Sequence, residues 1–238
     1  MTVYVFAGPT LSHAEGQSIF DAIYLPPTAQ GDVSKISMQR PSAIGIIDGY
    51  FHRMPSVWHK EILLAMASGI HVFGSASMGA LRAAELHSFG MVGVGRIFEG
   101  YAAGDITDDD EVAVVHGPAE AGYIALSDAM VNIRATFDAA AKDDIITSTT
   151  AQGLTDIAKA TFFYHRRYDA LLDAGADKDL PADELSRLQE WLPYGKIDLK
   201  KNDAIQMLRS IDDFLKKAPP RKTVDYFVEP TYVHMDGA

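Results

Sequence analysis

Ser77 is the residue whose neighbours best prepare it for chemistry. It stands in Gly74-Ser75-Ala76-Ser77-Met78-Gly79-Ala80-Leu81-Arg82-Ala83-Ala84-Glu85-Leu86, where only Met78 is bulky around the serine. Ahead of it, Gly69-Ile70-His71-Val72-Phe73 has the pattern of a buried strand, and Ala80 to Leu86 is dense in helix formers. A strand, a sharp turn and a helix lift a serine hydroxyl off the strand end toward a substrate, as in a nucleophile elbow. The first glycine of G-x-S-x-G is absent, because Ser75 stands in its place. A tight turn without chemistry selects the same small residues.

A serine hydroxyl is a poor nucleophile until a base takes its proton. One candidate is His116, which with Asp108, Asp109, Asp110 or Glu111 gives the chain order Ser, Asp, His of a hydrolase triad. The other is Lys60, since residues 1–141 contain only Lys35 and Lys60. A lysine acts as a base where burial brings its pKa toward neutrality. Val57, Trp58, Leu63, Leu64 and Phe51 are apolar neighbours of the kind required, whereas Asp48 works against it. By spacing alone, a paired helix-surface lysine and a hydrogen-bonded strand-end histidine are the favoured readings of these two positions. If Lys60 is the base, its ammonium is expected within hydrogen-bonding reach of Ser77, or one small rearrangement away.

The elements that must position these groups read as an α/β arrangement. Strands are expected at Thr2–Ala7, Ile23–Leu25, Ala43–Ile47, 70–74 and Val112–Val115. Helices are expected over about Ser12–Ala22, 56–68, 79–88, Arg96–Ala103 and Tyr123–Ala141, with Gly31–Met38 irregular and Tyr50–Met54 a loop. Strand 43–47, helix 56–68, strand 70–74 and helix 79–88 form a βαβα unit, which requires a parallel sheet. Ligands bind such sheets outside the carboxyl ends of the strands. Gly8-Pro9-Thr10, Asp48-Gly49 and Ser77 are all expected at that edge.

Gly90, Gly93 and Gly95 do not make G-x-G-x-x-G after a strand, so a dinucleotide site is set aside. Asp108-Asp109-Asp110-Glu111 reads as a solvated loop, because adjacent acids point in different directions. No metal site is expected. From about Asp143 the chain turns helical, with segments Leu154–Phe163, Tyr164–Leu172, Asp183–Trp191 and Lys201–Leu215 before a basic, Pro-rich stretch, Lys216–Lys222. The expected division is an α/β core over 1–145 and a mostly helical region over 146–238 packed on it.

Composition excludes other classes. The 238 residues include no cysteine, which removes disulfides, thiolate zinc sites and cysteine nucleophiles. A net charge of −11 disfavours nucleic acid. No apolar stretch approaches the ~20 residues of a membrane helix, and no signal peptide is evident, so a cytoplasmic setting is expected.

Four stretches together resemble the TfuA-like family: Ile46–Phe51, Ser56–Leu63, Ser75–Leu86 and Asp109–Val114. Phe6-Ala7-Gly8-Pro9-Thr10 also resembles that family's first strand and loop. The resemblance covers roughly residues 3–140. It implies an α/β fold and a hydrolase-like Ser–Lys pair, matching Ser77 and Lys60 here. It also implies a YcaO partner in peptide backbone thioamidation. YcaO activates a peptide amide with ATP, and the TfuA-like protein supplies sulfur by hydrolysing the C-terminal thiocarboxylate of a ThiS-like carrier. No cofactor is implied on this chain itself.

On that reading, the Met78 N–H and a donor from the Gly8–Thr10 loop, through Thr10, would hold the oxyanion. Gly49, Gly74 and Gly79, with Asp48 nearby, would line a slot for a glycine-ended tail. Arg82 and Glu85 read as a structural pair. A non-catalytic adaptor that recruits YcaO and its peptide is the alternative, and the missing elbow glycine argues against a general esterase.

Overall fold

Short runs of apolar residues joined through helices can pair only side by side and in the same direction. The computed structural model, which describes residues 1–51 and 54–229, shows that outcome. Strands β1 (Val3–Phe6), β2 (Ile23–Leu25), β3 (Ala43–Ile46), β4 (His71–Ser75) and β5 (Val92–Val94) form one parallel sheet. Its order is β2-β1-β3-β4-β5, so the winding reverses between β1 and β3. The fold is α/β, as the sequence predicts.

Alternation along each strand sends side chains to two apolar layers. Tyr4, Phe6, Ile44, Ile46 and Val72 face helices α2 (Asp32–Ser37), α3 (His59–Ala67) and α4 (Met78–Leu86), which contribute Val33, Ile62, Met66, Ala83 and Leu86. Val3, Val5, Ala43 and Phe73 face the other way, against Ala204, Met207, Leu208 and Ile211 of α10 (Leu199–Lys216) and Ile19 of α1 (His13–Ile19). Helix α5 (Arg96–Ala103) ends at Gly104 in the left-handed conformation, as the sequence predicts.

The chain divides into two compact units, Met1–Asp105 with the chain from Asp203 onward, and Ile106–Asn202. The second unit is helical: α6 (Met130–Lys142), α7 (Ser148–Ala160), α8 (Tyr168–Ala176), α9 (Ala182–Gly195) and the first residues of α10. Ile133, Phe137, Leu154, Leu171 and Leu188 form its core. The long helix expected from Tyr123 begins only at Met130, and it packs on α7.

Three other expectations are corrected. Gly31–Met38 contains α2 rather than an irregular stretch, because buried Glu61 accepts the N–H groups of Gly31 (2.8 Å) and Ser34 (3.3 Å) at its start. Val112–Val115 forms no strand; it follows a single 3-10 turn at Asp109–Glu111. The fifth strand is Val92–Val94, inside the glycine-rich stretch, where a side chain at Gly93 would overlap the Phe98 ring. Of the loop expected at Tyr50–Met54, His52 and Arg53 lie outside the described residues.

Candidate active site

Register places the loops of interest at one edge of the sheet. Phe6 pairs with Ile46, and Ile46 with Gly74, so the chain after β1, β3 and β4 leaves from a common row. Gly8, Asp48 and Ser77 therefore share the carboxyl edge, as the sequence predicts.

At the reversal point between β1 and β3, Asp48 is 1% exposed and fully engaged. Its Oδ2 accepts the N–H of Gly8 at 2.9 Å and of Thr10 at 3.0 Å, and its Oδ1 accepts the Thr10 hydroxyl at 2.6 Å. Thr10 thus gives both its donors to Asp48. The second oxyanion donor expected from this loop is committed elsewhere, and Asp48 is the group that shapes the loop.

Ser77 stands two residues past β4, at the N-cap position of α4, and its side chain makes no capping bond. The residue before it, Ala76, has φ 65°, and the Ser77 N–H donates to the Ser75 carbonyl at 2.7 Å. A hydrogen bond spanning two residues across a positive φ is a γ-turn of the rare, strained kind. Ser77 is 2% exposed, and its hydroxyl makes no hydrogen bond with any described residue. No fully sealed side-chain polar atom among the described residues is left unpaired, so that hydroxyl retains contact with the outside. The Gly79 N–H is taken by the Ile47 carbonyl at 3.2 Å. The Met78 N–H, in the first turn of α4, has no intrahelical acceptor and donates to no described residue. A hydroxyl and a backbone donor without partners, at the positive end of a helix, suit attack on a carbonyl-type carbon and stabilisation of the resulting oxyanion.

The glycines expected to line a slot serve packing instead. A side chain at Gly79 would overlap the Ile46 carbonyl, and one at Gly74 the Gly79 carbonyl, so both let α4 lie directly on the sheet. At Gly49 an added carbon would stand 2.8 Å from Met78 Cγ and 3.1 Å from the Thr28 carbonyl.

Lys60 lies in the first turn of α3 and forms no ion pair or hydrogen bond among the described residues, with Ser77 or any other group. Its neighbours tie that turn to the side of α4. Arg82 Nε donates to the Val57 carbonyl at 3.0 Å, and Glu85 Oε2 meets both His59 Nε2 and Arg82 Nη1 at 2.7 Å. Arg82 and Glu85 stand about 8 and 12 Å beyond Ser77 along the helix, at ~1.5 Å rise per residue. Glu61, quoted in the sequence only as part of a motif, caps α2 and also accepts the Trp58 N–H at 3.2 Å, joining the starts of α2 and α3. Its signal was a Glu three residues past a helix start.

His116 belongs to the helical unit, where its Nδ1 donates to the Gly117 carbonyl at 2.8 Å. The acidic run before it is an ion-pair hub rather than a solvated loop. Lys159 Nζ meets Asp108 at 2.8 Å, Asp110 at 2.6 Å and Glu111 at 3.0 Å. Arg166, 1% exposed, holds Asp110, and Arg134 binds Glu111 through two bonds of 3.0 Å. Burial opposes ionisation of Asp110, but the bonds from Lys159 and Arg166 outweigh it and hold its carboxyl below the usual range. Among the described residues no cluster of His, Asp and Glu suits a metal ion, and no helix is long and apolar enough to cross a membrane.

Fold and site together define a doubly wound α/β protein with a serine at the carboxyl edge, beside the winding reversal. The chain belongs to the TfuA-like family: the model of the TfuA-like protein matches residues 48–167, half of the sequence. That match begins at Asp48 and takes in Lys60, Ser77 and the acidic hub. No curated protein matches the chain.

Proposed function

We propose that this protein hydrolyses the C-terminal thiocarboxylate of a ThiS-like carrier and hands the released sulfide to a YcaO partner for peptide backbone thioamidation. The family is associated with YcaO-type partners, and ATP is expected on that partner rather than here. The observation that carries the reading is the Ser77 hydroxyl, without a partner at a strained strand-to-helix turn beside the unpartnered Met78 N–H.

Ser77 Oγ attacks the thiocarboxylate carbon and passes its proton to Lys60. Negative charge gathers on the former carbonyl oxygen, to which the Met78 N–H donates. Lys60 returns that proton to the thiocarboxylate sulfur as the C–S bond breaks, so hydrosulfide leaves with the bonding pair and an ester of Ser77 remains. Water cleaves that ester, giving the carrier carboxylate and restoring the hydroxyl. The sulfur leaves as hydrosulfide only once it has gained that proton, so one amine serves as base and then as acid. For the proton transfer the Lys60 side chain has to swing toward the β4–α4 turn, since no hydrogen bond joins it to Ser77.

That missing bond favours a second reading, a non-catalytic adaptor that brings YcaO and its peptide together. The two are separated by incubating the full chain with a thiocarboxylated ThiS-like protein and following exchange of sulfur for oxygen in the carrier's mass. Hydrolysis is expected for the native protein. Ser77→Ala is expected to lose at least ~10³-fold in rate, with stability within ~0.5 kcal/mol because the hydroxyl makes no hydrogen bond to lose. Equal rates for the two folded proteins leave the adaptor.

A further inference from the structure

The turn that carries Ser77 is pinned from both sides. On one side the Ser75 hydroxyl, fully buried, donates to the Val94 carbonyl of β5 at 2.7 Å. On the other, the Gly79 N–H donates to the Ile47 carbonyl after β3, and the Gly79 Cα abuts the Ile46 carbonyl. Between these anchors the chain must leave a strand and enter a helix within three residues.

Ala76 absorbs the mismatch. Its φ of 65° lies in left-handed backbone that an L side chain resists. Glycine would take that conformation without penalty, yet the methyl is present. It is 0% exposed, in the apolar layer that holds Leu11, Ile47, Phe73 and Val94. A packed methyl allows one backbone conformation where glycine would allow several. Such strain persists only where surrounding structure over-determines it, and here the two anchors do so.

We infer that Ala76 is a positioning residue for Ser77. Its buried methyl, held at positive φ between the Ser75 and Gly79 anchors, aims the Ser77 hydroxyl relative to the Met78 N–H. No side chain among the described residues does this, because the hydroxyl has no partner there. The inference rests on the proposed reading of Ser77 as nucleophile.

The test compares the full chain with Ala76→Gly, and with Ser75→Ala, which frees the anchor on β5. Two rates are measured: carrier hydrolysis, and covalent labelling of Ser77 by a small fluorophosphonate. Ala76→Gly is expected to melt within a few degrees of the native protein while kcat and the labelling rate fall about tenfold or more, with KM within about twofold. A structural role alone would not move kcat at unchanged melting temperature. If Ala76→Gly does not fold, Ser75→Ala is expected to show the same loss of kcat, and native kcat there overturns the inference. Equal labelling rates in folded Ala76→Gly and native protein also overturn it. Labelling that falls in Ala76→Gly while the native protein leaves the carrier intact keeps the inference and overturns the thiocarboxylate reading instead.

Discussion

Thr10 donates twice to Asp48, from its N–H to Oδ2 at 3.0 Å and from its hydroxyl to Oδ1 at 2.6 Å. Together with the Gly8 N–H at 2.9 Å, these bonds close the loop after β1 onto the chain after β3, where the winding of the sheet reverses. Removing the carboxylate in Asp48→Ala leaves three buried donors, so a loss of about 3 kcal/mol is expected in urea unfolding. Asp48→Asn keeps one acceptor oxygen and should cost about half of that. A loss under ~0.5 kcal/mol for the alanine variant would show that the loop holds without the carboxylate.

Lys60 has no ion pair among the described residues, so its replacement should barely change stability. Arginine keeps the charge but holds its proton at any working pH. Lys60→Arg is therefore expected to lose nearly as much carrier hydrolysis as Lys60→Ala, by about 10²-fold or more. A native rate for Lys60→Arg, measured on the same carrier, would remove Lys60 as the base.

Gly79 has no room for a side chain, since an added methyl would overlap the Ile46 carbonyl, which is backbone and cannot swing aside. Gly79→Ala must push α4 off the sheet and move the Met78 N–H with it. Destabilisation by about 3 kcal/mol is expected, at the upper end for overpacking. Circular dichroism melts read it directly. A native melting temperature would mean the helix can shift without cost.

Asp110 ties pH to the stability of the helical unit. Its folded pKa lies below the unfolded value, so the stabilisation is present above the unfolded pKa and is lost as pH falls through the folded one. Lys159 opposes this little: burial lowers its pKa, the bonds to Asp108, Asp110 and Glu111 raise it further, and the net shift is upward. It therefore stays charged throughout the acid range. Asp110→Asn is expected to lower the melting temperature at pH 7, with the gap to the native protein closing as pH falls below the ordinary aspartate range. A gap independent of pH would place the effect in packing rather than in charge.

Much of the frame was legible from local pattern. The apolar runs at Val3–Phe6, Ile23–Leu25, Ala43–Ile46 and His71–Ser75, separated by helical periodicity, admit little besides a parallel sheet. That sheet brings Gly8, Asp48 and Ser77 to one edge. The family was also legible, because its motifs are long and specific. Strand β5 was hidden: Val92-Gly93-Val94 is short and its glycine resembles turn punctuation, although Phe98 fills the space a side chain would occupy. Val112–Val115 misled in the opposite direction, since Val112 and Ala113 are buried without pairing into a strand.

Residue types and spacing determined that a serine stands at the turn between β4 and α4, with small neighbours that let the chain reverse direction. Those facts depend only on residues a few places apart. Which donors remain free there is a matter of partners far away in sequence. Asp48 takes the Thr10 and Gly8 donors across about forty residues, Ile47 takes the Gly79 N–H, and Val94 anchors Ser75. The folding of the acidic run onto Lys159, Arg134 and Arg166 is of the same kind. A hydrogen bond is specified by the positions of both its ends, and for these groups only the tertiary fold brings the second end into place.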